Sequence, residues 1–395
     1  MCNRIFIGDN YNIMSGGQFA QYKGNVDFIY IDPPYNTQNN SFAYSDKNID
    51  WSNDIKKRLI LAKSFLANSG VIFISIDDNE LANLLFICYE IFGKDNYVGL
   101  FVTKQAQWSN AKYINTIHEY VVAFALNKKE LPKFYIERMA NPNEAPVLKK
   151  IMASVKDKFG LFPEEAKKEL KRQIDKYMEE TGTTWIRNYS SVDEKGEIYF
   201  AKDLSTPGKP NKVDIDEINL HLEPLKTRGW SSKEKFLSLH KEGRLVFKNG
   251  RPYAKEYLYE AVDNVSSILN FYSRQGTEEL KKLNLDGLFE TAKPVELIKF
   301  LIRCSQHKDA VILDFYGGSG TTAQAVYEIN KEDNRNHSYI LIQLDEKINK
   351  KSRSFALMQK MGYAEPKISD AMLVRINTFL KSQNLTDNYE VVVSA

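Results

Sequence analysis

The chain has 395 residues, 43% of them hydrophobic and 27% charged, which is enough apolar sequence for a catalytic core plus one further domain and excludes wholesale disorder. A formal net charge of +3 is too small to imply a polyanionic partner by itself, and the three cysteines, Cys2, Cys88 and Cys304, form no CxxC pair and no cluster with histidine, which argues against a disulfide framework or a metal site. The N-terminus MCNRIFIGDN lacks a basic flank before a long apolar run, and no stretch approaches about 18 apolar residues, so a soluble protein of a reducing cytoplasm is expected.

Taken in chain order, short apolar runs alternate with helical patterns. Val26 to Ile31 (VDFIYI) reads as a strand, Ile55 to Ala67 as a helix, Val71 to Ile76 (VIFISI) as a strand, Asn79 to Ile91 as a helix and Glu119 to Ala125 (EYVVAFA) as a strand. A second block follows near the C-terminus, with a helix over Val295 to Cys304, a strand over Ala310 to Phe315 (AVILDF), another helix, and a strand over Tyr339 to Leu344 (YILIQL). Strands that are apolar throughout belong to a sheet covered on both faces, so both blocks are expected in one doubly wound α/β sheet.

Between the blocks the composition changes. Residues 127–260 hold a Lys/Arg-rich helical pattern at Glu164 to Glu180, whose mixed charges suit a solvated face, and then turn-rich, strand-poor sequence with Pro207, Gly208, Pro210, Pro224, Gly229, Gly243 and Gly250. This is expected to be an inserted domain. The core is thus assigned to residues 1–126 and 261–355, and residues 356–395 to one amphipathic helix at Ile368 to Leu380 and a short tail.

The sharpest chemical signal is Asp32-Pro33-Pro34-Tyr35, directly after VDFIYI. Two prolines cannot continue a central strand, so the chain leaves the sheet at its carboxyl edge, where ligands bind. A carboxylate, backbone carbonyls without partners and a flat aromatic face suit an amino group on a heterocycle. Hydrogen bonds from both N–H groups of such an amine, to Asp32 and to a proline-region carbonyl, push its nitrogen toward tetrahedral geometry and turn its lone pair outward. A base paired inside a duplex has to be flipped out for this, and Tyr35 is placed to stack on it. In isolation the same tetrapeptide also reads as a plain strand-terminating turn.

The second signal is Asp314-Phe315-Tyr316-Gly317-Gly318-Ser319-Gly320-Thr321-Thr322, which follows AVIL and opens a helix. Glycines let the backbone approach a ligand, and a helix start presents N–H groups to an anion such as a carboxylate. The spacing is neither GxGxxG nor a phosphate loop ending in Gly-Lys-Ser/Thr, which disfavours NAD and ATP.

Together DPPY and DFYGGSGTT resemble the catalytic and cofactor motifs of the S-adenosylmethionine-dependent amino-methyltransferases, in the order of their beta class. The segments IFIGDN (5–10), IDPPYNT (31–37), GVIFISIDDNE (70–80), HEYVVAF (118–124), RGWSSKEKF (228–236), KPVELIKFLI (293–302) and NKEDNRNHSYILIQLDE (330–346) resemble the modification (Mod) subunits of type III restriction systems and their stand-alone relatives, across nearly the whole chain.

The resemblance implies a Rossmann-like core with an inserted target-recognition domain, acting on adenine N6 in double-stranded DNA. It implies that Asp32, Pro33, Pro34 and Tyr35 hold the base; that Asp9 lies near the cofactor's adenine; that Phe315, Gly317, Gly318 and Gly320 wall its methionine part, with Thr321 and Thr322 at the helix start; that Asp32 and Asp314 also bind the cofactor; and that Lys293 flanks the pocket. Gln343 or Asp345 would take the ribose. Relatives often read DFFAGSG where this chain has Gly317 in place of alanine. A homodimer, a restriction (Res) partner subunit and a bacterial cytoplasmic location on nucleoid DNA are further implications, although the chain is short beside full Mod subunits. From their own chemistry, Arg228, Trp230, Lys233 and Lys235 are candidates for phosphate contact, as is Arg274 in FYSRQG, and His118 is expected to be a packing residue.

Three rivals remain open: cytosine N4 as the target, a silent DNA-recognition subunit, and a dinucleotide-dependent oxidoreductase. Cytosine C5 chemistry needs a cysteine nucleophile, and none of the three cysteines follows a proline.

Overall fold

The computed structural model describes residues 3–37, 50–104, 113–140, 144–385 and 389–393; Cys2 lies outside them. The chain divides into two compact units, one built from Met1–Tyr135 with Asn264–Ala395 and the other from Ile136–Asp263. The second unit begins nine residues after, and ends three residues after, the segment read from sequence as an insert.

The first unit is a nine-stranded sheet. Its strands are β1 (Asn3–Ile7), β2 (Val26–Ile31), β3 (Leu66–Ile76), β4 (Tyr97–Lys104), β5 (His118–Ala125), β6 (Ile268–Tyr272), β7 (Val311–Asp314), β8 (Ser338–Gln343) and β9 (Tyr389–Val393). They lie in the order β6-β4-β5-β3-β2-β7-β8-β1-β9. Neighbours are parallel except at β5, which runs antiparallel to both β3 and β4. The helices are α1 (Asn10–Ser15), α2 (Trp51–Phe65), α3 (Leu81–Phe92), α4 (Arg274–Lys282), α5 (Val295–Cys304), α6 (Thr321–Asp333), α7 (Arg353–Lys360) and α8 (Ile368–Ser382).

Burial explains why VDFIYI is apolar without alternation. Phe28 meets Phe73 of β3 at 5.2 Å between ring centroids, while Ile29 and Ile31 pack in the core cluster that holds Leu59, Ala62 and Phe65 of α2. Both faces are covered, as a central parallel strand requires. The C-terminal tail also has a place: β9 pairs in parallel with β1, Ile5 opposite Val391.

In the second unit, helices Ala145–Leu161 and Pro163–Thr181 pack through Leu148, Ile151 and Val155 against Ala166, Leu170 and Ile174. The charged pattern at Glu164 to Glu180 is therefore only the outer face of an amphipathic helix. The expectation of a strand-poor insert is corrected. Leu245–Lys248, Arg251–Tyr257, Ile198–Asp203 and Ser191–Val192 form a four-stranded antiparallel sheet, and two further strand pairs join Val213–Ile215 to Leu220–Leu222 and Ser205–Thr206 to Gly229–Trp230. Strands this short carry too few alternations to stand out between turn residues.

Among the described residues no helix is long and apolar enough to cross a membrane. Helix α4 meets the segment that enters α5 backbone to backbone. A Cβ at Gly276 of α4 would stand 1.7 Å from the carbonyl oxygen of Ala292 and 3.0 Å from the carbonyl carbon of Lys293, so two backbones touch here. Gly276→Ala is expected to cost about 1–3 kcal/mol of stability, because backbone cannot yield as a side chain does. A thermal midpoint equal to that of the parent chain would contradict this close approach.

Candidate active site

β2 and β7 are neighbours at the centre of the sheet, with Phe28 opposite Ile312 and Ile29 opposite Leu313. From β2 the chain continues to β3 on one side, and from β7 to β8 on the other. A crevice opens where successive connections diverge in this way, beyond the carboxyl ends of the strands. It contains a cavity of about 310 Å³ whose wall includes Asp9, Asp32, Trp51, Lys293, Gly318 and Gln343.

On the β2 side, Pro33 is buried and the Pro34 carbonyl accepts the Trp51 indole N–H at 2.7 Å. The expectation that the proline carbonyls have no partner is thus corrected for Pro34, and no donor among the described residues reaches the Pro33 carbonyl. The Tyr35 hydroxyl donates to Asp32 Oδ1 at 2.8 Å and accepts from the Lys293 ammonium at 2.7 Å, which also lies 5.0 Å from the centre of the Tyr35 ring. Lys293 reaches Glu119 Oε2 at 2.6 Å and Asp32 at 3.4 Å.

Burial pushes the Asp32 carboxyl above its usual range against the opposing pull of Lys293. Burial alone would lower the Lys293 ammonium, but the Asp32 and Glu119 carboxylates more than offset it and hold the lysine well above its usual range. Lys293 is therefore a fixed cation.

On the β7 side, Asp314 Oδ2 accepts the Thr322 hydroxyl at 2.6 Å and Oδ1 the Tyr316 amide at 3.1 Å. Burial pushes this carboxyl up to about 7 against those two hydrogen bonds. The Phe315 carbonyl accepts from Asn10 at 2.7 Å, and Arg58 holds the other end of the Asn10 amide as well as Asp9, at 3.1 Å. Asp9 caps α1 through the Asn12 amide at 2.9 Å. The Gly317 amide donates to the Ile342 carbonyl, and the Gly318 amide to Gln343 Oε1 at 2.7 Å. Gly318 has φ 51°, and a Cβ there would meet nothing nearer than the Tyr316 carbonyl at 3.6 Å.

Not every expected residue reaches the cavity wall. Asp9, Asp32, Pro34, Lys293, Asp314, Phe315, Gly317, Gly318, Thr321, Thr322 and Gln343 line it; Pro33, Tyr35, Gly320 and Asp345 do not. At Gly320, φ is 76° and a Cβ would stand 2.9 Å from Ile376, so this glycine serves helix packing. Asp345 is turned to Lys367 and Ser369, while Glu346, not anticipated, lines the wall. Glu119, Trp51, Asn10 and Arg58 were also missed. Asn10 belongs to IFIGDN, Glu119 to HEYVVAF, and Trp51 and Arg58 to the helix after DPPY, and only the fold brings those segments to the site. His118 meets the Tyr120 hydroxyl at 2.6 Å instead.

Of the candidate DNA contacts, Trp230 is corrected: it is buried among Leu204, Ile215 and Phe236, its indole donating to the Glu223 carbonyl. Arg228 is exposed and bonds to Ser205, Lys233 pairs with Glu217 at 3.1 Å, and Lys235 is exposed. Arg274, on α4 in the first unit, pairs with Glu278 at 3.2 Å.

A doubly wound sheet with the Asp32 loop and a glycine loop on one cavity defines a ligand-binding core of the α/β class. The DNA methylase family model for N6/N4 methyltransferases matches residues 26–353, and the chain belongs to that family. It is 30% identical to the type III restriction-modification enzyme EcoPI Mod subunit of Escherichia phage P1, over 98% of this chain and 63% of that one. It is 28% identical to the EcoP15I Mod subunit of Escherichia coli, over 90% and 60%, and 28% identical to the type II methyltransferase M.KpnI of Klebsiella pneumoniae, over 94% and 86%. The chain spans about three fifths of the length of the two Mod subunits.

Asp314 has a measurable consequence. Its carboxyl titrates near 4 when unfolded and near 7 when folded, so its contribution is fully present below about pH 4 and is lost as pH rises through 7. Asp314→Asn is expected to remove a slope of up to about 1.4 kcal/mol per pH unit across that window. Denaturant unfolding from pH 4.5 to 8 would show the variant gaining stability over the parent as pH rises; parallel curves would contradict the assignment.

Proposed function

We propose that this chain is a site-specific DNA methyltransferase that moves the methyl group of S-adenosylmethionine to N6 of adenine in duplex DNA, after the base is flipped out of the helix. The observation that carries the reading is the meeting of the Asp32 loop and the glycine loop on one cavity, with Lys293 in the same wall.

The residues fit that cofactor. Open space at Gly318 lets a ligand approach backbone; Ser319, Thr321 and the first-turn amides of α6 offer donors to a carboxylate; and Asp9, Gln343 and Glu346 offer acceptors to adenosine. When bound, S-adenosylmethionine supplies an electrophilic methyl group.

The protein's own part is positional. Asp32 accepts one N–H of adenine N6 and the Pro33 carbonyl the other, the Pro34 carbonyl being held by Trp51. The lone pair of N6 then points away from both acceptors. Lys293 opposes the rise that burial imposes on the Asp32 carboxyl, and Asp32 is placed to take the proton that N6 gives up. Tyr35 surrenders its bond to Asp32 to the base and offers a ring face for stacking, the Lys293 ammonium sitting at its hydroxyl end. Such placement supplies orientation and charge stabilisation with no covalent intermediate.

The unit Ile136–Asp263 is the proposed target-recognition domain, with exposed Arg228, Lys233 and Lys235 as its candidate phosphate contacts. Arg274 is a further candidate contact on α4. A homodimer and, by analogy with the Mod relatives, a restriction subunit are the proposed protein partners. Cytosine N4 is the alternative target.

Asp32→Ala is expected to lower methylation by about a hundredfold or more while cofactor affinity stays within a few fold. Single-molecule sequencing of genomic DNA from a methylation-deficient host should show N6-methyladenine at one short motif with the parent chain and none with the variant. N4-methylcytosine would reverse the base assignment, and full methylation by the variant would remove Asp32 from the chemistry. Exchanging residues 136–263 for the matching segment of another family member is expected to change the methylated motif, and an unchanged motif would move recognition to the core.

A further inference from the structure

Arg375 lies on α8, outside every motif, and is 1% exposed. One guanidinium nitrogen donates to the Ser319 carbonyl at 3.0 Å, the Ser319 hydroxyl at 2.8 Å and the Thr321 hydroxyl at 2.6 Å, and the other to Gln324 Oε1 at 3.0 Å. All four acceptors are neutral oxygens, and Nε has no partner. Among the described residues no carboxylate lies within ion-pair distance of it; Glu279 and Glu328 act on it only through space. A buried cation without an anion is strongly disfavoured, so its retention calls for a counter-charge.

The geometry supplies a place for one. Ser319 and Thr321 both line the cavity, so the guanidinium is one residue deep behind the glycine loop. Arginine only donates. By occupying lone pairs of both hydroxyls it turns their O–H groups away from itself, toward each other, the Lys293 carbonyl or the cavity.

We propose that Arg375 is a positioning residue for the carboxylate of the cofactor's amino-acid part, acting through Ser319 and Thr321 and supplying the buried positive charge that this carboxylate neutralises. This rests on the S-adenosylmethionine reading above.

The test is calorimetric titration of the full chain with S-adenosylmethionine, with its decarboxylated analogue, and with methylthioadenosine, which lacks the amino-acid part. The parent chain is expected to bind S-adenosylmethionine more tightly than the decarboxylated analogue, and Arg375→Met to lose about tenfold or more for S-adenosylmethionine but under threefold for the other two. Arg375→Lys should recover part of the loss, and serves if the methionine variant does not fold. Equal losses for all three ligands would make Arg375 a mere support of the loop, and unchanged affinities would remove it from binding; either overturns the proposal. A parent chain that binds none of the three fails at the cofactor reading itself.

Discussion

The Lys293 ammonium, 2.6 Å from Glu119 and 3.4 Å from Asp32, joins three segments of the first unit that are far apart in sequence. Two carboxylates this close in a shielded site would repel, and one would take up a proton. The lysine opposes that repulsion, and the backbone on either side of it is packed against Gly276. Burial pushes the partly covered Asp32 carboxyl toward its neutral form, and the Lys293 ammonium pulls it back toward the charged form that a base-binding acceptor needs.

The two halves of the cavity are held by different means. On the β2 side a side-chain indole from α2 clamps the proline turn, and the charges behind it are paired. On the β7 side the glycine loop is held by side-chain hydrogen bonds from several elements: Asn10 on the Phe315 carbonyl, Gln343 on the Gly318 amide, Thr322 on Asp314 and Arg375 on the Ser319 carbonyl. Each glycine there has its own reason. Gly317 and Gly320 make room for Met372 and Ile376 of α8, whereas Gly318 faces open space, so only the last keeps a side chain out of a ligand's way.

Much of this could be read in the sequence, and the limits have a physical cause. VDFIYI and the helix Val295–Cys304 were legible to the residue because a fully covered strand and a strongly amphipathic helix announce themselves locally. The Asp32 and glycine loops were legible because proline and glycine fix backbone geometry. Glu119, Trp51 and Arg375 were not. Glu119 and Arg375 act on partners far along the chain and Trp51 on a carbonyl 17 residues earlier, and nothing in their own neighbourhoods distinguishes any of them from an ordinary charged or aromatic residue. Trp230 failed in the opposite direction: cations beside it suggested a surface, but short strands around it close a core.

The pairing of β2 with β7 carries a consequence for synthesis. Asp27 and Val311, bonded at 2.9 Å across this pair, are 284 positions apart. At about 5–20 residues per second, β2 leaves the ribosome roughly 15–60 s before its central neighbour is made. Throughout that interval Phe28 and Ile29 belong to a half-sheet with one edge unpaired, the arrangement that favours association between chains. The length of the segment between the two halves thus sets how long the newborn chain is exposed to aggregation, independently of how stable it is once the ninth strand has docked.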